Sequence, residues 1–127
     1  MIPKELKYTE SHEWVQCIGN IATVGITHHA QEQLTDIVFV EFPEVGNSYS
    51  EGAECAVIES CKIAAELYAP IGGKVLEVNQ ELETNPGLIN EDPYGKGWIV
   101  KFEIDDPSEV AELMDADAYH AFVEKSE

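Results

Sequence analysis

A chain of 127 residues with 44% apolar content is long enough to bury a core of its own and too apolar for disorder. Seven basic against 25 acidic residues leave a net charge of −18 with no arginine, which argues against phosphate backbones and anionic membranes as partners and for basic protein surfaces. Cys17, Cys55 and Cys61 lack C-x-x-C spacing; with no signal-peptide pattern and no apolar run of membrane-spanning length, they predict a cytoplasmic protein with reduced thiols.

The first elements in chain order are two β-rich runs, His12 to Cys17 and Ile21 to Ile26, joined by the turn pair Gly19-Asn20. Thr27 is placed to cap a short helix ending at Leu34. Asp36 to Phe42 is the strongest strand signal, ended by Pro43. Glycine turns at Gly46 and Gly52 lead into two strand-like runs, Ala53 to Ser60 and Ile63 to Ala69, which read as a hairpin. Pro70-Ile71-Gly72-Gly73 forces a further turn, Lys74 to Asn79 alternates again, and Gln80 to Gly97 reads as loop. Trp98 to Ile104 is the last predicted strand.

Beyond it, Asp106-Pro107-Ser108-Glu109 supplies an acidic N-cap, proline at the first helical position and glutamate at N3. Val110, Leu113 and Met114 then give that helix an apolar face. A second helix is expected from about Asp115 to Lys125. Phe39, Val57, Val75, Val78 and Ile99 are the expected core positions. The expected organisation is one domain over 1–127, with a β core from about 6 to 104 and C-terminal helices from about 106 to 125.

Lys62 stands apart from every other charge. Between Lys7 and Lys74 it is the one basic residue, against ten carboxylates: Glu10, Glu13, Glu32, Asp36, Glu41, Glu44, Glu51, Glu54, Glu59 and Glu66. A hairpin tip projects its central side chain into water, where an amine adds nothing to a core but is accessible for covalent attachment. A solvated turn lysine is common in any protein, so the position alone does not settle its use.

The segment Glu59-Ser60-Cys61-Lys62, followed by Ala69-Pro70-Ile71-Gly72-Gly73-Lys74-Val75, resembles the attachment segment of lipoyl domains. Biotin-carrying domains place Met on both sides of the lysine, where this chain has Cys61 and Ile63. Further stretches resemble the H protein family of the glycine cleavage system in order and spacing from about Leu6 to Phe122. They are Ser11-His12-Glu13-Trp14-Val15, Thr23-Val24-Gly25-Ile26-Thr27, Asp36-Ile37-Val38-Phe39-Val40 and Asn90-Glu91-Asp92-Pro93-Tyr94-Gly95. Departures cluster near the lysine: Cys61 and Ile63 where Val and Ala are usual, Ala65-Glu66 for Ser-Asp, and Gln33 where many members carry His.

The resemblance implies a mainly β fold, a lipoyl/biotinyl-domain-like β-sandwich (flattened barrel hybrid) with short flanking helices. It implies a non-catalytic carrier with lipoate bound covalently as N6-lipoyllysine at Lys62 and ligase recognition through Glu59 and Ser60. Ser11, Glu13 and Glu66 match residues of an arm cleft, where carboxylates would hold a cationic aminomethyl cargo. The implied partners are glycine decarboxylase (P protein), aminomethyltransferase (T protein), dihydrolipoyl dehydrogenase (L protein), and a lipoate ligase or lipoyl/octanoyl transferase. Two alternatives stay open: a lipoyl relay or donor for other lipoate-dependent complexes or redox defence, and a small enzyme using the acidic cleft directly.

No metal site is expected. His28 and Glu32 at i, i+4 offer two ligands on a surface helix, which do not make a site. Cys61 has no recognisable orienting partner for nucleophilic catalysis, and Ser60 lacks the G-x-S-x-G context.

Overall fold

The computed structural model describes residues 2–126. Its first element, β1 (Lys7–Tyr8), is only two residues long and pairs with Val15 and Trp14 of β2 (Glu13–Ile18). The Gly19-Asn20 turn returns the chain as β3 (Ile21–Ile26), in register from Glu13↔Ile26 to Ile18↔Ile21. Trp14 lies opposite Gly25, where a Cβ would stand 2.7 Å from the indole; the glycine is what lets the ring lie flat across β3. Helix α1 (His28–Leu34) begins at Thr27, whose hydroxyl accepts from the Ala30 amide at 3.3 Å, the expected cap.

β4 (Ile37–Glu41) carries the largest departure from expectation. Its pairing with β6 (Glu54–Ser60) jumps between Ile37 and Phe39, a bulge at Val38. An extra residue flips the alternation, so Ile37 and Val40 face the core while Val38 and Phe39 both face outward, 55% and 51% exposed. Phe39 is therefore not a core residue, although a regular strand would have buried it. Val75 and Ile99 are buried as expected, whereas Val57 and Val78 are half-buried.

β5 (Ser48–Tyr49) pairs with β8 (Gly73–Val78), and β6 pairs with β7 (Ala64–Tyr68). The expected loop of 80–97 contains two single-turn helices, α2 (Glu81–Thr84) and α3 (Leu88–Glu91), each anchored by one fully buried residue, Leu82 and Ile89. A single turn is too short to show a helical period. Asn90 then fastens α3 to the start of β4: its carbonyl accepts from the Ile37 amide at 3.0 Å and its amide donates to the Thr35 carbonyl at 2.8 Å. β9 (Val100–Ile104) completes a six-stranded antiparallel sheet, β1-β2-β3-β9-β8-β5, beside the three-stranded sheet β4-β6-β7. Val15, Val24 and Phe102 of the first meet Val40, Ile58 and Leu67 of the second in one core, a sandwich in which neither sheet closes on itself.

The C-terminal region is helical but divided. α4 (Ser108–Ala111) is a single turn, so Leu113 and Met114 lie beyond it, and α5 (Ala116–Ser126) follows. Asp106 accepts from the Ser108 hydroxyl at 2.8 Å and from the Ser108 amide at 3.0 Å, and these bonds, the hydroxyl's first, hold its carboxyl below the usual range. Glu109 does not reach back to close a capping box. Its Oε1 instead accepts from the Gly72 amide at 2.7 Å, tying α4 to the turn before β8. Asp115 caps α5 through the Ala118 amide at 2.9 Å, and Tyr119 packs on Leu6, Tyr8 and Trp14 in a second, smaller core. Among the described residues no helix is long and apolar enough to cross a membrane.

Candidate functional site

The β6–β7 hairpin is in register from Val57↔Glu66 to Glu59↔Ala64, leaving Ser60 to Ile63 as the turn. Ser60 closes it: its amide donates to the Ile63 carbonyl at 2.8 Å, and its hydroxyl oxygen accepts from the amides of Lys62 (3.2 Å) and Ile63 (3.1 Å). Such side-chain bonds rigidify a turn locally. The Cys61 amide adds a bond across to the Asp36 carbonyl at 3.0 Å, so the tip is held on the β4 side as well. Lys62 is exposed on this fixed loop, and among the described residues its amine joins no ion pair.

Ser60→Ala should therefore leave two turn amides without their acceptor, at a cost of about 1–2 kcal/mol. Hydrogen exchange should show it as faster opening at Lys62 and Ile63, with the six-stranded sheet unchanged. Unaltered exchange at those two amides would mean that the turn holds its shape without the hydroxyl.

Apolar surface surrounds the tip. Ile63 is 54% exposed, and the outward pair Val38 and Phe39 lies on the neighbouring strand. Across the outer face of the small sheet, Phe39, Glu59 and Ala64 form one row and Glu41, Val57 and Glu66 the next. Half-exposing a Phe forgoes about 1 kcal/mol of burial, an investment that suits contact with another protein. Glu59 lies in this face, half-buried beside Phe39.

Glu13 is not a surface acid: it is 1% exposed. Its Oε1 accepts from the hydroxyls of Thr9 (2.5 Å) and Ser11 (2.7 Å), and its Oε2 from the Tyr68 amide of β7 (3.2 Å). Burial pushes its carboxyl above the usual range, and those three donors pull it back. Glu66, by contrast, is exposed, on the same face of β7 as Ala64 and Tyr68 and so between the Lys62 tip and the Glu13 carboxylate. The Tyr68 hydroxyl is pushed above its usual range by Glu66 first, with Glu54 and Glu13 contributing, which marks this end of the hairpin as a field of negative charge. The structure thus joins Ser11 to Glu13 directly and places Glu66 on β7 two residues before Tyr68, whose amide Glu13 accepts.

Thr9 and Tyr68, which complete the Glu13 environment, carry no sequence signal: one donates from a turn and the other through its backbone. A groove of about 520 Å³ opens beside the same loop, floored by Tyr8, Leu113 and Met114 and rimmed by Ser11 and the acids Glu10, Glu51 and Glu112. An apolar floor with an anionic rim suits a chain that is aliphatic along its stem and cationic at its end.

The His28–Glu32 pair forms an exposed i, i+4 contact at 3.3 Å, and among the described residues no group of three or more His, Cys, Asp or Glu gathers as for a metal ion. Cys61 meets the Thr35 hydroxyl at 3.7 Å rather than a histidine.

A family model described as glycine cleavage H-protein matches residues 6–126. The glycine cleavage system H protein of Symbiobacterium thermophilum is 52% identical over 124 residues, covering 98% of this chain and 97% of its own. That of Thermotoga maritima is 54% identical over 119 residues, covering 94% and 96%. A mitochondrial H protein 2 of Arabidopsis thaliana is 49% identical over 127 residues, covering 100% of this chain and 81% of its own. Among solved structures, a glycine cleavage system H protein from Mycobacterium marinum superposes with a TM-score of 0.87 at 39% identity, over 94% of this chain and 97% of that one.

Proposed function

This chain belongs to the glycine cleavage H-protein family, a family of lipoyl carriers, and from that premise we propose that Lys62 is its attachment point and that it carries cargo without catalysing chemistry. The carrying observation is the tip itself: Lys62 is the one lysine of the β4-β6-β7 sheet and its turns, exposed on a turn whose amides Ser60 holds. Its neutral amine can attack the carbonyl carbon of an activated carboxylic acid: the amide C–N bond forms as the bond to the activating group breaks, that group leaves with the electron pair, and the nitrogen's extra proton passes to solvent. The residues fit the group, with a free amine at a rigid tip and a carboxylate with two hydroxyls at the far end of the same hairpin. When bound, lipoate supplies a redox-active dithiolane that this chain lacks.

What the chain's own residues contribute is tethering and shelter. A covalent arm raises the local concentration of its cargo at each partner site. Ser11 and Glu13 hold a cationic aminomethyl cargo away from water, where a charge pair is stronger than in the open, and exposed Glu66 adds negative charge on the approach to them. Glu59, with Val38, Phe39 and Ile63, forms the face by which the attaching ligase or transferase approaches Lys62. The cargo is then exchanged among glycine decarboxylase, aminomethyltransferase and dihydrolipoyl dehydrogenase, whose cofactors perform the hard chemistry.

Glu13→Gln and Glu66→Gln test the shelter. Both should leave lipoate attachment near normal. Both should speed loss of the aminomethyl cargo in the absence of aminomethyltransferase, Glu13→Gln by roughly five- to a hundredfold, as about 1–3 kcal/mol of charge-assisted hydrogen bonding converts. Stability separates the two: Glu13→Gln should lower it by about 1–3 kcal/mol because its oxygens bind three donors, and exposed Glu66→Gln by less than about 0.5 kcal/mol. Cargo loss at the parent rate in both variants would show that these carboxylates shelter nothing.

A further inference from the structure

The loop that presents Ser11 and Thr9 to Glu13 is held by bonds on both sides of His12. Its amide donates to the Thr9 carbonyl at 3.2 Å, and its carbonyl accepts from the Thr27 amide at 3.0 Å. His12 itself sits at φ 70°, a left-handed conformation uncommon for non-glycine residues and better tolerated by His, Asn and Asp than by most. Its side chain runs to the C-terminal helix, where Nδ1 lies 2.7 Å from the Tyr119 hydroxyl. Tyr119 is 1% exposed and stacks on Tyr8 with centroids 4.7 Å apart; its hydroxyl also lies 2.7 Å from that of Thr27, the cap of α1. One phenol therefore joins α5, the start of α1 and the loop beside Glu13.

We propose that Tyr119 and His12 are positioning residues for the arm cleft: α5, through this hydroxyl, sets the loop that presents Ser11 and Glu13, and only neutral His12 completes the relay. The proposal rests on Glu13 being the holder of the carried cation.

Proton counting gives the relay its direction. Two contacts link Thr27, Tyr119 and His12, and the two hydroxyl protons both find acceptors in them only when Thr27 donates to Tyr119 and Tyr119 donates to His12 Nδ1, that is, when the neutral imidazole carries its proton on Nε2. Every hydroxyl then has an acceptor. If His12 is protonated, Nδ1 must donate, Tyr119 must turn its proton to Thr27, and the Thr27 proton loses its acceptor at a residue that is 0% exposed. The titratable groups packed against His12 are His29 from α1, 4.7 Å between centroids, and Tyr119 from α5; the carboxylate of its neighbour Glu13 is bound by Thr9, Ser11 and Tyr68. Burial, and then His29, hold the His12 imidazole below its usual range. With a lowered value in the closed state, the relay's contribution is complete above the ordinary histidine pKa of about 6.5, weakens below it, and is lost as pH falls through the lowered value.

Hydrogen exchange on the full chain without lipoate, read as opening constants corrected for intrinsic rates, tests the coupling. In the parent protein, opening at His12, Glu13 and Thr27 should rise by up to about tenfold per pH unit below about pH 6.5. Tyr119→Phe keeps the stacked ring but should raise opening at those amides by about five- to thirtyfold at pH of about 8, with no further rise on acidification, while Ile58 and Leu67 stay within about twofold. His12→Asn tolerates the left-handed backbone, offers a carboxamide oxygen in place of Nδ1 and does not titrate. It should keep the closed loop near neutrality and lose the pH dependence. An equal rise at all amides in Tyr119→Phe, no rise at the loop, or a pH slope that survives in His12→Asn would overturn the coupling. On the loaded, lipoylated protein, Tyr119→Phe should speed cargo loss as Glu13→Gln does. Loop opening without faster cargo loss would keep the coupling and overturn the role of Glu13 on which the proposal rests.

Discussion

Lys62→Arg should abolish lipoate attachment completely and leave the fold unchanged. The side chain is exposed and joins no ion pair among the described residues, and the turn around it is held by the Ser60 hydroxyl and by backbone groups, none of which the substitution touches. Arginine keeps the positive charge, but its guanidinium stays protonated above pH of about 12 and offers no nucleophilic amine. Incubation with a lipoate ligase, ATP and lipoate, followed by intact mass and peptide mapping, should show the added group on the Lys62 peptide of the parent protein and nowhere on the variant.

The neighbouring lysines are poor substitutes for physical reasons. Lys101 is held 3.8 Å from Glu77 and 4.9 Å from the centre of the Trp98 ring, and Lys74 lies within β8, paired with Ser48 of β5 on one side and Glu103 of β9 on the other rather than at a turn. An added mass on either of them in the variant would remove the basis for treating the hairpin tip as the site.

Gly73→Ala should be the most damaging single substitution for the fold. Gly73 lies in β8 with Tyr49 of β5 on one side and Ile104 of β9 on the other. A Cβ there would stand 2.4 Å from the Glu103 carbonyl oxygen and 3.2 Å from the Cβ of Phe102. The first contact is backbone in a central strand, so it cannot be relieved by a rotamer change. β8 and β9 must part, and the pairing from Gly73↔Ile104 to Val78↔Val100 weakens with them. A cost of about 3 kcal/mol or more is expected, out of about 5–15 kcal/mol for a domain of this kind. Thermal unfolding should show it as a fall of roughly 10–15 °C in Tm. A midpoint within about 2 °C of the parent would mean that the strands separate at little cost. The hairpin bearing Lys62 belongs to the other sheet, so the folded fraction should still accept lipoate at the parent rate.

Elements whose signal is local are legible in the order of the residues themselves. Gly19-Asn20, the Thr27 cap, the strand from Lys74 and the helix after Asp115 each follow from backbone preference or capping chemistry within a few residues. So does the hairpin with Lys62 at its tip, because two alternating runs separated by short polar residues leave little else for the chain to do. β1 and β5 are not legible in this way, since two residues cannot display a period, and their pairing depends on Trp14, Val15, Lys74 and Gly73 arriving from elsewhere.

The isolation of one amine among carboxylates, its place at a turn and the order of its flanking motifs are properties of the chain alone, because each depends on neighbours in sequence. Which acids gather at the end of the hairpin away from Lys62 is decided in three dimensions. Glu13 is buried because the Tyr68 amide, 55 residues away, and two hydroxyls converge on it, while Glu66 stays in water on the same strand as Tyr68. Phe39 faces outward because β4 must bulge to meet β6, and Glu109 leaves its own helix to bind Gly72 because the sheet brings that amide within reach. Periodicity records only whether a residue alternates with its neighbours; the competition among distant donors for one carboxylate is settled when the two sheets pack.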